Sequence, residues 1–165
     1  MLEEAVAEVR GTPIHHPIDP ELNIETPGYI PDDYVPDAGH RLDLYKRLAS
    51  AEGDDELRAL LEEIGDRWGA VPGEVIHLAD VMGLKALARR LRAQSLELTS
   101  GRLALALGAD TPLPRDRALA LVADKSTGLR FSPDGRLVKS FAPAEARTPV
   151  ASARACLLQL LAHAT

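Results

Sequence analysis

The chain has 165 residues, of which 45% are hydrophobic and 27% charged, with one cysteine and a formal net charge of −6. These values fit one globular domain, or a domain with a fragment of another, and exclude a wholly disordered chain. The single Cys156 excludes an intrachain disulfide. No apolar run reaches the roughly 18 residues of a membrane helix. Acidic residues among the first ten positions argue against a signal peptide. We therefore expect a soluble cytoplasmic protein without a general nucleic-acid-binding surface.

The net negative charge comes from one proline-rich stretch between Gly11 and His40 that has no Lys or Arg. Its acids are Asp19, Glu21, Glu25, Asp32, Asp33 and Asp37. Residues 1–10 precede it and are predicted as a short helix that Gly11 stops, and residues 1–11 are expected to be the end of a larger unit. Because the prolines exclude a continuous helix, residues 12–37 are predicted as an extended acidic connector with a short strand at Leu22 and Ile24. It is either solvated or docks on a basic partner.

Residues 38–93 have the period of helices. The predicted helices run from about Ala38 to Ala51, from about Asp54 to Trp68 and from Pro72 to about Arg92. The second carries a single apolar stripe of Leu57, Leu60, Leu61, Ile64 and Trp68. Such a stripe predicts one buried face and one solvent face.

Residues 94–165 change to an alternating, strand-like period. The predicted elements are a hairpin turning near Ser100-Gly101, a helix from about Arg115 to Asp124, a second hairpin turning at Ser132-Pro133-Asp134-Gly135, and a last helix after Thr148-Pro149. The sequence therefore predicts an α+β fold: a helical N-terminal part followed by a small antiparallel sheet of two hairpin–helix units with helices packed on it.

No pattern in the chain indicates an active site. Lys125-Ser126-Thr127-Gly128 lacks the glycine-rich turn of a phosphate-binding loop, and the histidines lack metal-ligand spacing. Cys156 lies among apolar residues of a helix, which is typical of a buried, unreactive thiol. We expect no catalytic, cofactor-binding or metal-binding residue in this chain.

A basic cluster near the end of the third helix has three interpretations. Lys85, Arg89 and Arg92 are predicted to share one helical face. This face is solvated, or binds an acidic protein partner, or contacts DNA or RNA. The third interpretation is weakened by the scarcity of aromatic residues on which bases could stack.

Three segments resemble the C-terminal domain of bacterial transcription-repair coupling factors (Mfd). They are Tyr29-Ile30-Pro31-Asp32-Asp33-Tyr34-Val35-Pro36-Asp37, Arg41-Leu42-Asp43-Leu44-Tyr45-Lys46-Arg47-Leu48-Ala49-Ser50-Ala51, and Asp66-Arg67-Trp68-Gly69 followed by Pro72. The resemblance extends from about Met1 to Leu91, and residues 1–11 resemble the end of that family's translocase module. Residues 12–165 would then be the C-terminal domain.

The resemblance implies a function for the chain. The parent protein would be an ATP-dependent DNA translocase of transcription-coupled nucleotide excision repair that acts on stalled RNA polymerase and recruits UvrA. ATP and Mg²⁺ would bind its motor, so this fragment would not be an enzyme and would hold no cofactor. Its domain would pack on the N-terminal UvrB-like module, mask UvrA binding and restrain the motor until RNA polymerase is engaged. The alternative is a DNA-contacting accessory module that uses Lys85, Arg89 and Arg92.

The second helix offers the candidate docking surface for that role. With its apolar stripe turned inward, Asp66 points outward and Glu63 shares its face. A masked UvrA-binding surface is expected to carry arginines, which carboxylates would complement. We predict a protein-interaction patch of Glu63, Asp66 and Arg67; the alternative is a solvated helix face.

Overall fold

The computed structural model describes residues 19–164, so the helix predicted over residues 1–10 lies outside the described residues. The elements are β1 (Glu21–Ile24), α1 (Ala38–Ala49), α2 (Asp54–Trp68), α3 (Gly73–Arg90), β2 (Ala93–Leu98), β3 (Arg102–Leu107), α4 (Arg115–Ala123), β4 (Leu129–Phe131), β5 (Leu137–Ser140), α5 (Pro143–Ala146) and α6 (Pro149–Ala162). A short 3-10 turn, Lys125–Thr127, joins α4 to β4. Within the described residues, no helix has the length and apolar character to cross a membrane.

The helix ends follow local capping chemistry. The Asp37 carboxylate accepts a hydrogen bond from the His40 backbone N–H at 2.9 Å, which begins α1 and lowers the pKa of Asp37. Asp54, Asp55 and Glu56 form the first turn of α2, where acidic side chains favour the helix dipole. The observed bounds of α2 match those that the sequence predicts.

The five strands form one sheet in the order β1-β2-β3-β5-β4. The β2–β3 pair is the first predicted hairpin, with Leu96 opposite Leu105, and the β4–β5 pair is the second. Both hairpins are joined by antiparallel β3–β5 pairing. The α+β fold class is therefore confirmed.

The strand β1 adds a feature that the prediction of an antiparallel sheet lacks. It pairs with β2 in parallel, with Leu22 opposite Leu96, so the sheet is mixed. A parallel pair requires a long crossover between its strands, and here α1, α2 and α3 provide it.

Two clusters of buried side chains lie within residues 19–164. The helical cluster joins α1, α2 and the start of α3, with Leu48, Ile64 and Val75 among its members. The sheet cluster joins the sheet to α6, with Leu96 and Leu157 among its members. The helix α3 contributes to both, because Val75 and Leu78 belong to the first cluster and Leu84 and Leu91, next to its C-terminal end, to the second.

The acidic connector is packed rather than free from residue 19 onward. Its six carboxylates are exposed, whereas Ile30 and Val35 are buried in the helical cluster. The Ile30 backbone N–H donates to the Tyr45 hydroxyl at 2.7 Å, and the Tyr34 hydroxyl donates to the Gly69 carbonyl at 2.8 Å. The segment therefore fastens the N-terminal edge of the sheet to the helices.

Candidate functional site

The predicted patch lies on the outer face of α2. Leu57, Leu60 and Ile64 are buried, as the apolar stripe predicts. Glu63, Asp66 and Arg67 are exposed. The three residues nevertheless differ in what they contact, and so in what they offer a partner.

Glu63 is engaged with a neighbouring helix. Its carboxylate accepts a hydrogen bond from the Arg47 guanidinium of α1 and forms an ion pair with it. This hydrogen bond lowers the pKa of Glu63 and raises that of Arg47. A docking partner would have to share Glu63 with Arg47 or displace it.

Asp66 is the carboxylate of the patch that remains available. It is exposed, and it makes no ion pair with any residue from 19 to 164. Since exposed charges keep their full hydration until they are bound, a partner cation can pair with Asp66 without breaking an existing contact.

Arg67 lies over the aromatic ring of its neighbour. Its guanidinium carbon is 4.5 Å from the centroid of the Trp68 ring, within the range of a cation–π contact. One of its nitrogens is 3.4 Å from Nε2 of His40, at the start of α1. Trp68 packs against the helical cluster, so Arg67 covers the outer side of a partly buried ring.

The predicted basic face is largely occupied by internal contacts. Asp19 of the connector lies 3.3 Å from both the Lys85 ammonium and the Arg89 guanidinium. The two cationic side chains are only 16% and 25% exposed, whereas Asp19 is 69% exposed. The sequence assigned no partner to the acidic connector or to the basic face. In the structure they contact each other through Asp19.

Arg92 does not continue that face. The helix α3 ends at Arg90, and Arg92 has a φ of 55°, which turns it out of the helix. Its guanidinium donates to the Asp110 carboxylate at 2.8 Å. The helix predicted to reach about Arg92 thus ends two residues earlier, and the positive φ of Arg92 takes the chain out of helical geometry before β2 begins at Ala93.

The described residues bear on two kinds of chemistry that the sequence analysis considered, a metal site and a reactive thiol. From residue 19 to residue 164, no three His, Cys, Asp or Glu side chains are arranged to hold a metal ion. Cys156 is a free, buried thiol, and burial raises its pKa to about 11. At neutral pH it therefore stays protonated and is a poor nucleophile.

The sequence of the chain matches one domain family over residues 24–118, described as the TRCF domain. This match covers more than half of the 165 residues. The chain belongs to the TRCF domain family. The transcription-repair-coupling factor of Myxococcus xanthus is 41% identical to this TRCF domain over 138 residues, which are 84% of the chain. The matching region is 12% of the Myxococcus protein, so the chain spans a small part of that relative.

A second relative agrees with this assignment, and a solved structure shares the fold. The transcription-repair-coupling factor of Bacillus subtilis is 35% identical over 98 residues, 59% of this chain and 8% of that protein. The crystal structure of the C-terminal domain of a transcription-repair coupling factor superposes with a TM-score of 0.64, covering 86% of this chain and 93% of that one. Its identity is 18%, so the superposition shows a shared fold.

Several contacts of the candidate-site residues were not predicted from the sequence, and two of them show why. They are the Arg47–Glu63 pair and the contact of Asp19 with Lys85 and Arg89. The Arg47–Glu63 pair joins opposite charges on two predicted helices. Predicting it would have required the packing register of α1 against α2, which the sequence does not show. The second joins residues far apart in the chain and depends on the path of the connector.

Proposed function

We propose that this TRCF domain is a non-catalytic regulatory domain of a transcription-repair coupling factor. It packs on the N-terminal UvrB-like module of the same protein, masks the surface that binds UvrA, and restrains the ATP-driven motor until RNA polymerase is engaged. In this proposal ATP and Mg²⁺ bind the motor, and RNA polymerase and DNA are reached through the parent protein. The observation that carries the proposal is Asp66, which is exposed on the outer face of α2 and forms no ion pair within residues 19–164.

Electrostatics support this surface as a docking site. The chain carries a net charge of −6, and its helical part presents Glu62, Glu63 and Asp66 on one helix. A partner surface with arginines would form charge-assisted pairs with these carboxylates. Because interdomain contacts that are polar and exposed are weak, such a contact would hold the domain in place and still release it.

Release fits a shift between two populations. Docked and undocked states that differ by a few kcal/mol can be rebalanced by any ligand that prefers one of them. RNA polymerase or UvrA would bind the undocked state in this scheme. Masking within one chain also tolerates weak intrinsic affinity, because the linked partner is present at a high effective concentration.

A DNA-contacting accessory role has weaker support. Lys85 and Arg89 are partly buried and paired with Asp19, and Arg92 is paired with Asp110. Phosphate binding by these cations would first have to break those pairs. The contacts favour internal partners for this basic face.

The test is a titration of this chain against the separately expressed N-terminal module, followed by competition with UvrA. We expect Asp66→Arg to weaken binding about tenfold or more, since an attraction is replaced by a repulsion. Asp116→Arg is the matched control, because Asp116 is also an exposed helical carboxylate but lies on α4. Binding that Asp66→Arg and Asp116→Arg weaken equally would contradict a specific site on α2.

In the intact protein, the same variant is expected to strengthen the binding of UvrA rather than to weaken binding. If the domain masks UvrA binding, Asp66→Arg in the full-length protein should raise the affinity for UvrA, whereas Asp116→Arg should leave it unchanged. Two results together would refute the proposed function. They are an affinity for UvrA that does not change with Asp66→Arg, and no binding between the isolated domain and the isolated N-terminal module.

A further inference from the structure

Tyr29 is an aromatic side chain that the fold holds in solvent. It is 54% exposed, although both of its neighbours are fixed. Gly28 lies so close to α3 that an added Cβ would be 2.6 Å from the Leu78 backbone nitrogen. Ile30 is buried, and its N–H is bonded to the Tyr45 hydroxyl. An exposed ring on such a rigid backbone loses little conformational entropy when a partner covers it.

Tyr29 lines an open cleft of about 400 Å³ at the C-terminal end of α2. Pro31 and Pro72 form further parts of the wall, and Tyr34 is held there by its hydrogen bond to the Gly69 carbonyl. Burial raises the pKa of the Tyr34 phenol, which therefore remains a neutral donor to that carbonyl. One wall of the cleft is therefore fixed by Tyr34 and the two prolines.

The charge in this cleft has one sign. Asp33 and Glu74 contribute carboxylates to its lining, and no Lys or Arg is among the lining residues. Neither carboxylate forms an ion pair with another residue between 19 and 164. A flat aromatic ring beside unpaired carboxylates suits a guanidinium group, which stacks on the ring and pairs with the acids through its edge. A lysine ammonium, which is compact and strongly hydrated, suits it less.

We propose that this cleft receives an arginine side chain from a protein partner. This inference rests on the proposed function, which makes the N-terminal module that partner. The cleft includes Ala70 and Pro72, in the loop that follows α2, and Asp66 lies in the last turn of that helix. The docked module would then place one cation on Asp66 and a second one in the cleft beside Tyr29.

Titration of the chain against the N-terminal module tests the role of the ring. Tyr29→Ala should weaken binding about tenfold, as expected for an aromatic anchor, whereas Tyr29→Phe should bind nearly as well as the unchanged chain. Leu42→Ala is the matched control: Leu42 is 56% exposed, on α1, and does not line the cleft. Equal binding by Tyr29→Ala and Leu42→Ala would overturn the inference, and Asp66→Arg in the same series reports separately on the proposed function.

A small probe tests the cleft even if the module does not bind. We expect N-acetyl-arginine amide to shift the NMR signals of the Tyr29 ring in a saturable way at millimolar concentration. The lysine counterpart should shift them less, and Glu74→Gln should weaken the response to arginine. Shifts that do not saturate, or that are equal for the arginine and lysine probes, would show that the cleft does not select a guanidinium group.

Discussion

Arg89 shows how a single side chain can serve two parts of the fold. Its guanidinium donates to the carbonyls of Ala49 and Ala51, at and just beyond the C-terminal end of α1, at 3.1 and 3.4 Å. Helix ends leave carbonyls without intrahelical partners, and a cation there also favours the helix dipole. The same guanidinium contacts Asp19 of the connector. Arg89 is therefore held in place by α1. The sequence shows an arginine in a basic cluster, which suggests binding to a partner, but the contacts of this side chain are internal.

Gly28 is a residue at which the backbone leaves little room. Its φ is +78°, and an added Cβ would lie 2.6 and 2.8 Å from the nitrogen and Cα of Leu78. The cost of Gly28→Ala combines a left-handed conformation with a clash against helix backbone. We expect this change to lower the free energy of unfolding by about 2–4 kcal/mol, measured by urea denaturation.

Gly135 provides the control for this prediction. Its φ is +86°, but a Cβ there would meet nothing within 4 Å. Gly135→Ala isolates the conformational cost, which should be about 1 kcal/mol. If both variants lose the same stability, the close approach of Gly28 to α3 contributes nothing, and the connector is held less tightly than the structure indicates.

At the scale of elements, α2 could be predicted from sequence and β1 could be predicted only in part. The apolar stripe of α2 is a local signal, and the predicted bounds match the observed Asp54–Trp68. The alternation at Leu22 and Ile24 indicated a strand, but its parallel pairing with β2 joins segments separated by three helices. The contacts of Asp19 depend on that pairing, and so they could not be predicted from local patterns either.

The two faces of α2 should separate stability from docking. Ile64 is buried in the helical cluster, so Ile64→Ala should lower the free energy of unfolding by about 2–5 kcal/mol. Glu62 is exposed on the other face, and Glu62→Ala should change it by less than about 0.5 kcal/mol. Thermal or urea denaturation measures both. A large loss with Glu62→Ala would mean that the outer face supports the fold rather than remaining free for a partner.

At the scale of the whole molecule, α3 joins the predicted helical part, residues 38–93, to the predicted sheet part, residues 94–165. The helical part and the sheet part have separate hydrophobic clusters, and α3 has buried residues in both. An ion pair between Asp54 of α2 and Arg154 of α6 adds a second link, with one of its nitrogen–oxygen distances at 3.1 Å. The pair is exposed, so it contributes little energy beside the shared helix. We therefore expect the division near residue 93 to be a change of secondary structure within one cooperative unit.

This cooperativity can be measured because the single tryptophan reports on one cluster. Trp68 packs against the helical cluster, whereas far-UV circular dichroism reports on all helices and strands. We expect the two signals to give coincident urea transitions, as for a two-state domain.

Leu105→Ala, which changes the sheet cluster, should shift the Trp68 transition as far as the circular dichroism transition, because unfolding of the sheet removes the second half of α3. A Trp68 transition that stays in place while circular dichroism shifts would show two independently folding parts, and the docking surface on α2 would then remain folded without the sheet.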